Sequence, residues 1–204
     1  MLDSVWTRRY AHLGVLVRYA DDFVIMCDTR AACEQAEQRV REVLARLGLE
    51  LHPDKTRKVD LSHGREGFDF LGCHVRKRMS GRLWERLHRR VYYLQRWPSQ
   101  RAMRRICQRV KACTPRGVCH RDLRATLAQL NPVLRGWGAY FRTGNAAIKF
   151  GQVDDYVAWR LKRLLIKRHG RDLRPGQAAQ WTPNFFHALG LHRLRGTIRY
   201  PEAA

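Results

Sequence analysis

The chain has 204 residues, enough to bury a real core in one domain or two small ones. Its 45% apolar content excludes a disordered basic tail, and it has no run of 18 apolar residues to span a membrane. The formal net charge of +22 is uneven: residues 1–72 carry 11 Lys+Arg against 12 Asp+Glu, whereas residues 73–204 carry 29 against 6.

In chain order, the opening MLDSVWTRRY lacks the uninterrupted apolar segment of a secretory signal. VLVRYA (15–20) and FVIMC (23–27) are two β-prone runs separated by Asp-Asp, which predicts a hairpin with the aspartates at or beside its turn. A helix follows, capped by Asp28 or Thr29, with Ala32, Ala36, Val40, Val43, Leu44 and Leu47 along one face and Gly48 at its end. LELHPDKTRKV reads as two short strands around a Pro53 turn. GFDFLGCHV (67–75) alternates and predicts part of a second hairpin with the chain near Arg76–Leu83.

After about residue 85 the character changes, and helices are predicted over 85–96, 99–112, 120–142 with a break near Asn131–Pro132, and 149–169. The fold class is therefore α+β, a compact α/β piece over 1–84 followed by a basic helical piece over 85–204. Arginine dominates the basic part, and its planar guanidinium fork suits phosphate oxygens. Those arginines are spread over several segments rather than gathered beside a lipid anchor, which favours nucleic acid over an anionic membrane. On 101–111, Ala102, Met103, Ile106 and Val110 form an apolar face, leaving Arg101, Arg104, Arg105, Arg109 and Lys111 for solvent or RNA. Arg135 and Arg142 flank Trp137, Tyr140 and Phe141; Arg135 is an RNA-contact candidate, while Trp137 falls at core spacing with Leu130, Val133 and Leu134.

Six cysteines without a CxxC spacing fit a reducing cytoplasm better than a disulfide scaffold. Cys107, Cys113 and Cys119, with His120 beside the last, lack the close ligand pair of a zinc finger. Asp21 and Asp22 are the more informative polar pair. Two carboxylates between apolar strands need a cation if they are buried and ionised, either arginine or a divalent metal. Mg²⁺ takes oxygen ligands and is often held by one or two carboxylates with substrate phosphates. An Asp-Asp pair is also ordinary turn chemistry.

Tyr19-Ala20-Asp21-Asp22 within VRYADDFVI resembles the catalytic YADD motif of reverse transcriptases, particularly the bacterial group II intron-encoded type. Gly48-Leu49-Glu50-Leu51 with Pro53-Asp54-Lys55-Thr56 resembles the palm segment that follows, and Phe68-Asp69-Phe70-Leu71-Gly72 the FxFLG primer-grip segment. Leu130-Asn131-Pro132-Val133-Leu134-Arg135-Gly136-Trp137, continuing to Tyr140-Phe141, is similar to the signature of the maturase-specific, thumb-like domain X, and GLHRLRGTIRYP to the usual close of such proteins.

The resemblance implies RNA-directed DNA polymerase activity in the complete enzyme, with Asp21 ligating catalytic Mg²⁺ and Asp22 supporting the site. It places Tyr19 near the primer terminus and Lys55 close to the active site, with Phe70, Leu71 and Gly72 positioning the primer. Its partners would be group II intron RNA and an RNA/DNA template-primer, and the basic part would assist splicing. The expected palm is incomplete, because only 18 residues precede Tyr19 and the other catalytic aspartate belongs to parts ahead of it; Asp3 sits in too short a segment to replace it. The chain would then be inactive alone, with a separate fingers/palm fragment as a candidate partner. Two alternatives are a non-enzymatic RNA-binding module and an inactive truncated remnant.

Overall fold

The computed structural model describes residues 2–200, and the chain divides into two compact units, residues 1–71 and 72–204. The Pro201 that closes the last sequence motif lies outside the described residues. Because residue 72 is a glycine, the charge asymmetry of the sequence is also an asymmetry between the units, one near neutral and one strongly cationic.

In the first unit a short helix α1 (Leu2–Val5) runs through a π-helical turn, Trp6–Tyr10, and a 3-10 turn, Ala11–Leu13, into a hairpin. Its strands β1 (Val15–Tyr19) and β2 (Asp22–Met26) pair antiparallel with Tyr19 opposite Asp22, so Ala20 and Asp21 form a two-residue turn. The hairpin expected from the sequence is therefore present, with one aspartate in the turn and the other opening β2. Period-two alternation sends Leu16, Phe23 and Ile25 against a core of Trp6, Leu13, Ala36, Val40 and Leu44.

Helix α2 (Arg30–Ala45) supplies the other side of that core. Thr29 rather than Asp28 caps it, the Oγ1 accepting from the Ala32 N–H at 3.1 Å. Gly48, at φ 68°, lets Gly48 N–H reach Ala45 O at 3.0 Å and Leu49 N–H reach Leu44 O at 3.0 Å, a reciprocal closure of the helix end. Leu47, expected on the buried face, is exposed in that closing turn. The two strands expected in LELHPDKTRKV are absent. The chain there turns about the His52 carbonyl, which accepts from Lys55 N–H, Thr56 N–H and Thr56 Oγ1. Strand β3 (Gly67–Phe70) closes the unit.

The second unit opens at a tight turn, with Leu71 at φ 48° and Gly72 at φ 75°. Strand β4 (Cys73–Met79) then pairs antiparallel with β5 (Tyr92–Pro98) from Cys73↔Pro98 to Met79↔Tyr92. A short helix α3 (Gly81–Leu87) joins them. The helix expected over 85–96 is thus overturned. His88 takes a left-handed conformation, φ 47°, and its N–H caps Trp84 O at 2.9 Å; the aromatic run beyond it finds a partner strand.

Three long helices form the body: α4 (Gln100–Cys113), α5 (Leu123–Phe141) and α6 (Ala147–His169), followed by a short α7 (Pro183–Ala188). The predicted break at Asn131–Pro132 does not occur, since α5 runs through Pro132. Interior proline costs about 3 kcal/mol, and burial of a leucine returns roughly 1.5–3 kcal/mol. Leu130 and Leu134, one turn apart around the proline, are both fully buried, whereas Pro132 is on the exposed side of the helix. The core joins Met103, Ile106 and Val110 of α4 to Leu127 and Leu130 of α5, with Phe150, Val153, Val157 and Leu161 of α6. Phe186, Leu191 and Leu194 of the C-terminal segment pack into the same core. Among the described residues no helix is long and apolar enough to cross a membrane.

Candidate functional site

The acidic hairpin is held from behind by one arginine. Arg18 shares the inward face of β1 with Leu16, and its guanidinium grips the Asp3 carboxylate through Nε at 2.9 and 2.8 Å and through Nη2. Its Nη1 donates to Ala20 O at 2.8 Å, inside the turn. Ala20 stands at φ 51°, a conformation that disfavours a side chain and persists only when its surroundings hold it. Arg18 is part of that restraint. The pair draws the Asp3 carboxyl below its usual range and the arginine above its own, with a smaller contribution from the nearby Asp21 charge. Asp3 is therefore committed to Arg18, a role that sequence reasoning missed because the two lie 15 positions apart.

Asp21 and Asp22 are both exposed, and Tyr19 beside them is 67% exposed. As two adjacent oxygen donors they suit a hard divalent cation that completes its shell with water and phosphate oxygens. Among the described residues no group of three or more His, Cys, Asp or Glu comes together. Lys55 is exposed in the turn over His52, Phe70 is half-buried at the end of β3, and Leu71 and Gly72 form the left-handed turn. No hydrogen bond among the described residues joins Lys55, Phe70 or Gly72 to the aspartates.

In the second unit, α4 separates its two faces as expected. Ala102, Met103, Ile106 and Val110 are buried, while Arg101, Arg104, Arg105, Arg109 and Lys111 are exposed. Arg135 on α5 and Arg142, which caps its C-terminal end, are exposed as well. The ion pairs found among the described residues all lie within positions 3–58, so none of these seven cations has a carboxylate partner there.

The LNPVLRGW stretch acts mainly as a clamp. Asn131 donates through Nδ2 to Gly190 O at 2.8 Å and accepts at Oδ1 from His192 N–H at 2.8 Å. A Cβ on Gly138 would stand 2.6 Å from Leu194 Cδ2, so the bare glycine is what lets that leucine seat. Trp137 packs on Phe141 and Phe150, at ring-centroid distances of 4.9 and 5.4 Å, which supports its core spacing. From the next helix, the buried Asp154 accepts from Leu194 N–H at 3.0 Å and Arg195 N–H at 2.9 Å. The segments resembling domain X and the closing motif thus hold each other, leaving Arg135 outside. Beside them, burial pushes the His192 imidazole down, aided by the positive Arg135, with Asp154 opposing.

Comparison with known families agrees with this division. Residues 4–75 match the family described as Reverse transcriptase (RNA-dependent DNA polymerase), and residues 103–181 match Group II intron, maturase-specific domain. No curated protein sequence gives a significant match. A reverse-transcriptase segment bearing the Asp21–Asp22 hairpin and a maturase-specific helical domain, in that order on one polypeptide, support a protein of the group II intron reverse transcriptase/maturase type.

Proposed function

We propose that the second unit binds structured group II intron RNA through the exposed arginines of α4 and α5, and that Asp21 and Asp22 are metal-binding carboxylates of the reverse-transcriptase active site. The observation that carries the RNA reading is α4: five cations on one face, four apolar side chains buried on the other, and no carboxylate paired with those cations among the described residues. Releasing counterions from phosphates is the driving force such a face supplies, and it needs no particular base sequence. Selectivity for the intron would come from the shape of the RNA that fits across both helices.

In the polymerase part, Mg²⁺ bound at Asp21, with Asp22 beside it, would supply Lewis-acid activation of a primer 3′-hydroxyl. Because Arg18 holds Asp3, Asp3 is not the third carboxylate of this site. Tyr19, Lys55, Phe70, Leu71 and Gly72 are assigned to the primer and template side. Replacing Arg104, Arg105 and Arg109 with Gln should weaken RNA binding and flatten its log–log salt dependence by about one for each phosphate no longer neutralised. An unchanged slope overturns the α4 assignment. Asp21→Asn should abolish metal-dependent primer extension in the assembled enzyme, and retained synthesis removes the role given to Asp21.

A further inference from the structure

Helix α6 carries an exposed feature that the arginine faces above do not use. Trp159 is 47% exposed on a helix whose other face is the centre of the core. Tyr156 lies beside it with ring centroids 5.8 Å apart and planes inclined by 28°, close to parallel. The Arg163 guanidinium sits over the Trp159 ring, 5.0 Å from its centroid. Positions 156, 159, 163 and 167 follow helical spacing, so this is one continuous stripe.

Arg163 also belongs to a second feature. It lines a groove of about 410 Å³ together with Arg116, Arg160, Lys167 and Ile166. Two of the cations are fixed by the fold. Arg160 donates through Nε to the buried Thr114 Oγ1 at 3.0 Å and through Nη2 to Thr114 O, and Lys167 Nζ donates to Arg116 O at 3.1 Å. These bonds are to neutral oxygens and orient the positive charges without cancelling them. Among the described residues none of the four cations has a carboxylate within ion-pair distance.

An aromatic ring half open to solvent, joined by a shared arginine to a groove of four uncompensated cations, matches the chemistry of an unpaired nucleotide. Its base has a free π-face to stack, and the phosphates beside it are anionic. A duplex fits less well, because its base faces are already stacked on one another and only its phosphates could enter the groove. We propose that Trp159, with Tyr156 and Arg163, is a stacking platform for an unpaired base of bound RNA, and that the groove of Arg116, Arg160, Arg163 and Lys167 takes the adjoining phosphates. The inference rests on the RNA-binding reading and narrows it, assigning a single-stranded loop or bulge to this part of the second unit.

The test uses the whole chain and two labelled RNAs of equal charge, a single-stranded twenty-mer and a blunt, loop-free duplex of two ten-mers, each titrated at one fixed salt concentration. Trp159→Ala should weaken single-strand binding about 5- to 150-fold, the range for one base-stacking interaction, and leave duplex binding unchanged. Trp159→Phe, which keeps a ring, should recover most of the loss. A single-stranded probe carrying one 2-aminopurine should show fluorescence quenching with the parent chain and with Trp159→Phe, but not with Trp159→Ala. Repeated over a range of salt, Lys167→Gln should lower the salt slope of single-strand binding by about 0.7. Single-strand affinity that is indifferent to Trp159→Ala overturns the platform, as does an equal loss on both RNAs with the melting temperature unchanged. In either case the binding that remains leaves the broader RNA reading standing. A parent chain that binds neither RNA overturns both.

Discussion

The carboxylate of Asp154 in α6 receives the backbone N–H of Leu194, 40 positions later, at 3.0 Å, and the neighbouring Arg195 N–H at 2.9 Å. The Leu194 side chain is fully buried and fills the space left by Gly138. One buried charge thus fixes where the C-terminal segment crosses the helical body, and the same segment carries the His-Arg-Leu-Arg run.

Removing that carboxylate should therefore be expensive. Hydrogen bonds to a charged partner contribute about 1.5–3 kcal/mol, and Asp154→Ala also leaves two N–H groups unmet. We expect a loss of about 2–3 kcal/mol in the second unit by denaturant titration. Asp155→Ala, at the adjacent exposed position, should stay within about 0.5 kcal/mol and serves as the control.

Asn131 should behave as a structural residue, although it sits in a motif associated with RNA. Asn131→Ala removes both the bond to Gly190 O and the bond from His192 N–H, and should cost about 1–2 kcal/mol. Binding of RNA per folded molecule should be unchanged. Weaker binding with full stability would instead place Asn131 against the RNA.

A pH dependence follows from His192. Its folded-state pKa lies below the ordinary 6.5 because burial disfavours the imidazolium and Arg135 repels it. Below that ordinary value the unfolded chain binds more protons than the folded one, so stability falls with falling pH. The contribution is complete above about pH 6.5 and is lost as pH drops through the folded pKa. His192→Gln should flatten this part of the stability profile, as followed by melting temperature between pH 7.5 and about 5; a profile of unchanged shape would remove His192 as the cause.

In the first unit, Arg18→Met should release the turn at Ala20. Amide exchange across β1 and β2 should speed up, while exchange in α4 to α6 should not change. Asp3→Asn should give a smaller effect of the same sign, because the Arg18 bond to Ala20 O is retained. Equal protection in parent and variant would show that the hairpin holds its left-handed alanine unaided.

How much of this was legible in the sequence depends on the range over which each feature is decided. The hairpin, the helix that ends before Gly48 and the two faces of α4 follow from local periodicity and end signals visible in the string, whereas the exact turn and the choice of Thr29 over Asp28 as cap do not. The run ERLHRRVYYLQRW carries both helical and strand spacing, and only a partner strand at Cys73–Met79 decides for β5. Pro132 signals a break locally, but the burial of Leu130 and Leu134 outweighs it. The partners of Asn131 and Asp154 lie 40 to 61 residues away, beyond any local pattern. Trp159 with Arg163 was readable as an i, i+4 pair, yet its exposure depended on which face of α6 the core took.

Intron recognition by the basic unit is measured by binding of the purified chain to a structured group II intron RNA and to a scrambled RNA of equal length at about 0.2 M salt, where non-specific attraction to phosphates is strongly reduced. Retained binding to the intron RNA, with clear preference over the scrambled one, is the expected result. Equal affinities that fall together along a steep salt slope would contradict it, reducing the basic unit to a cationic surface with no intron recognition.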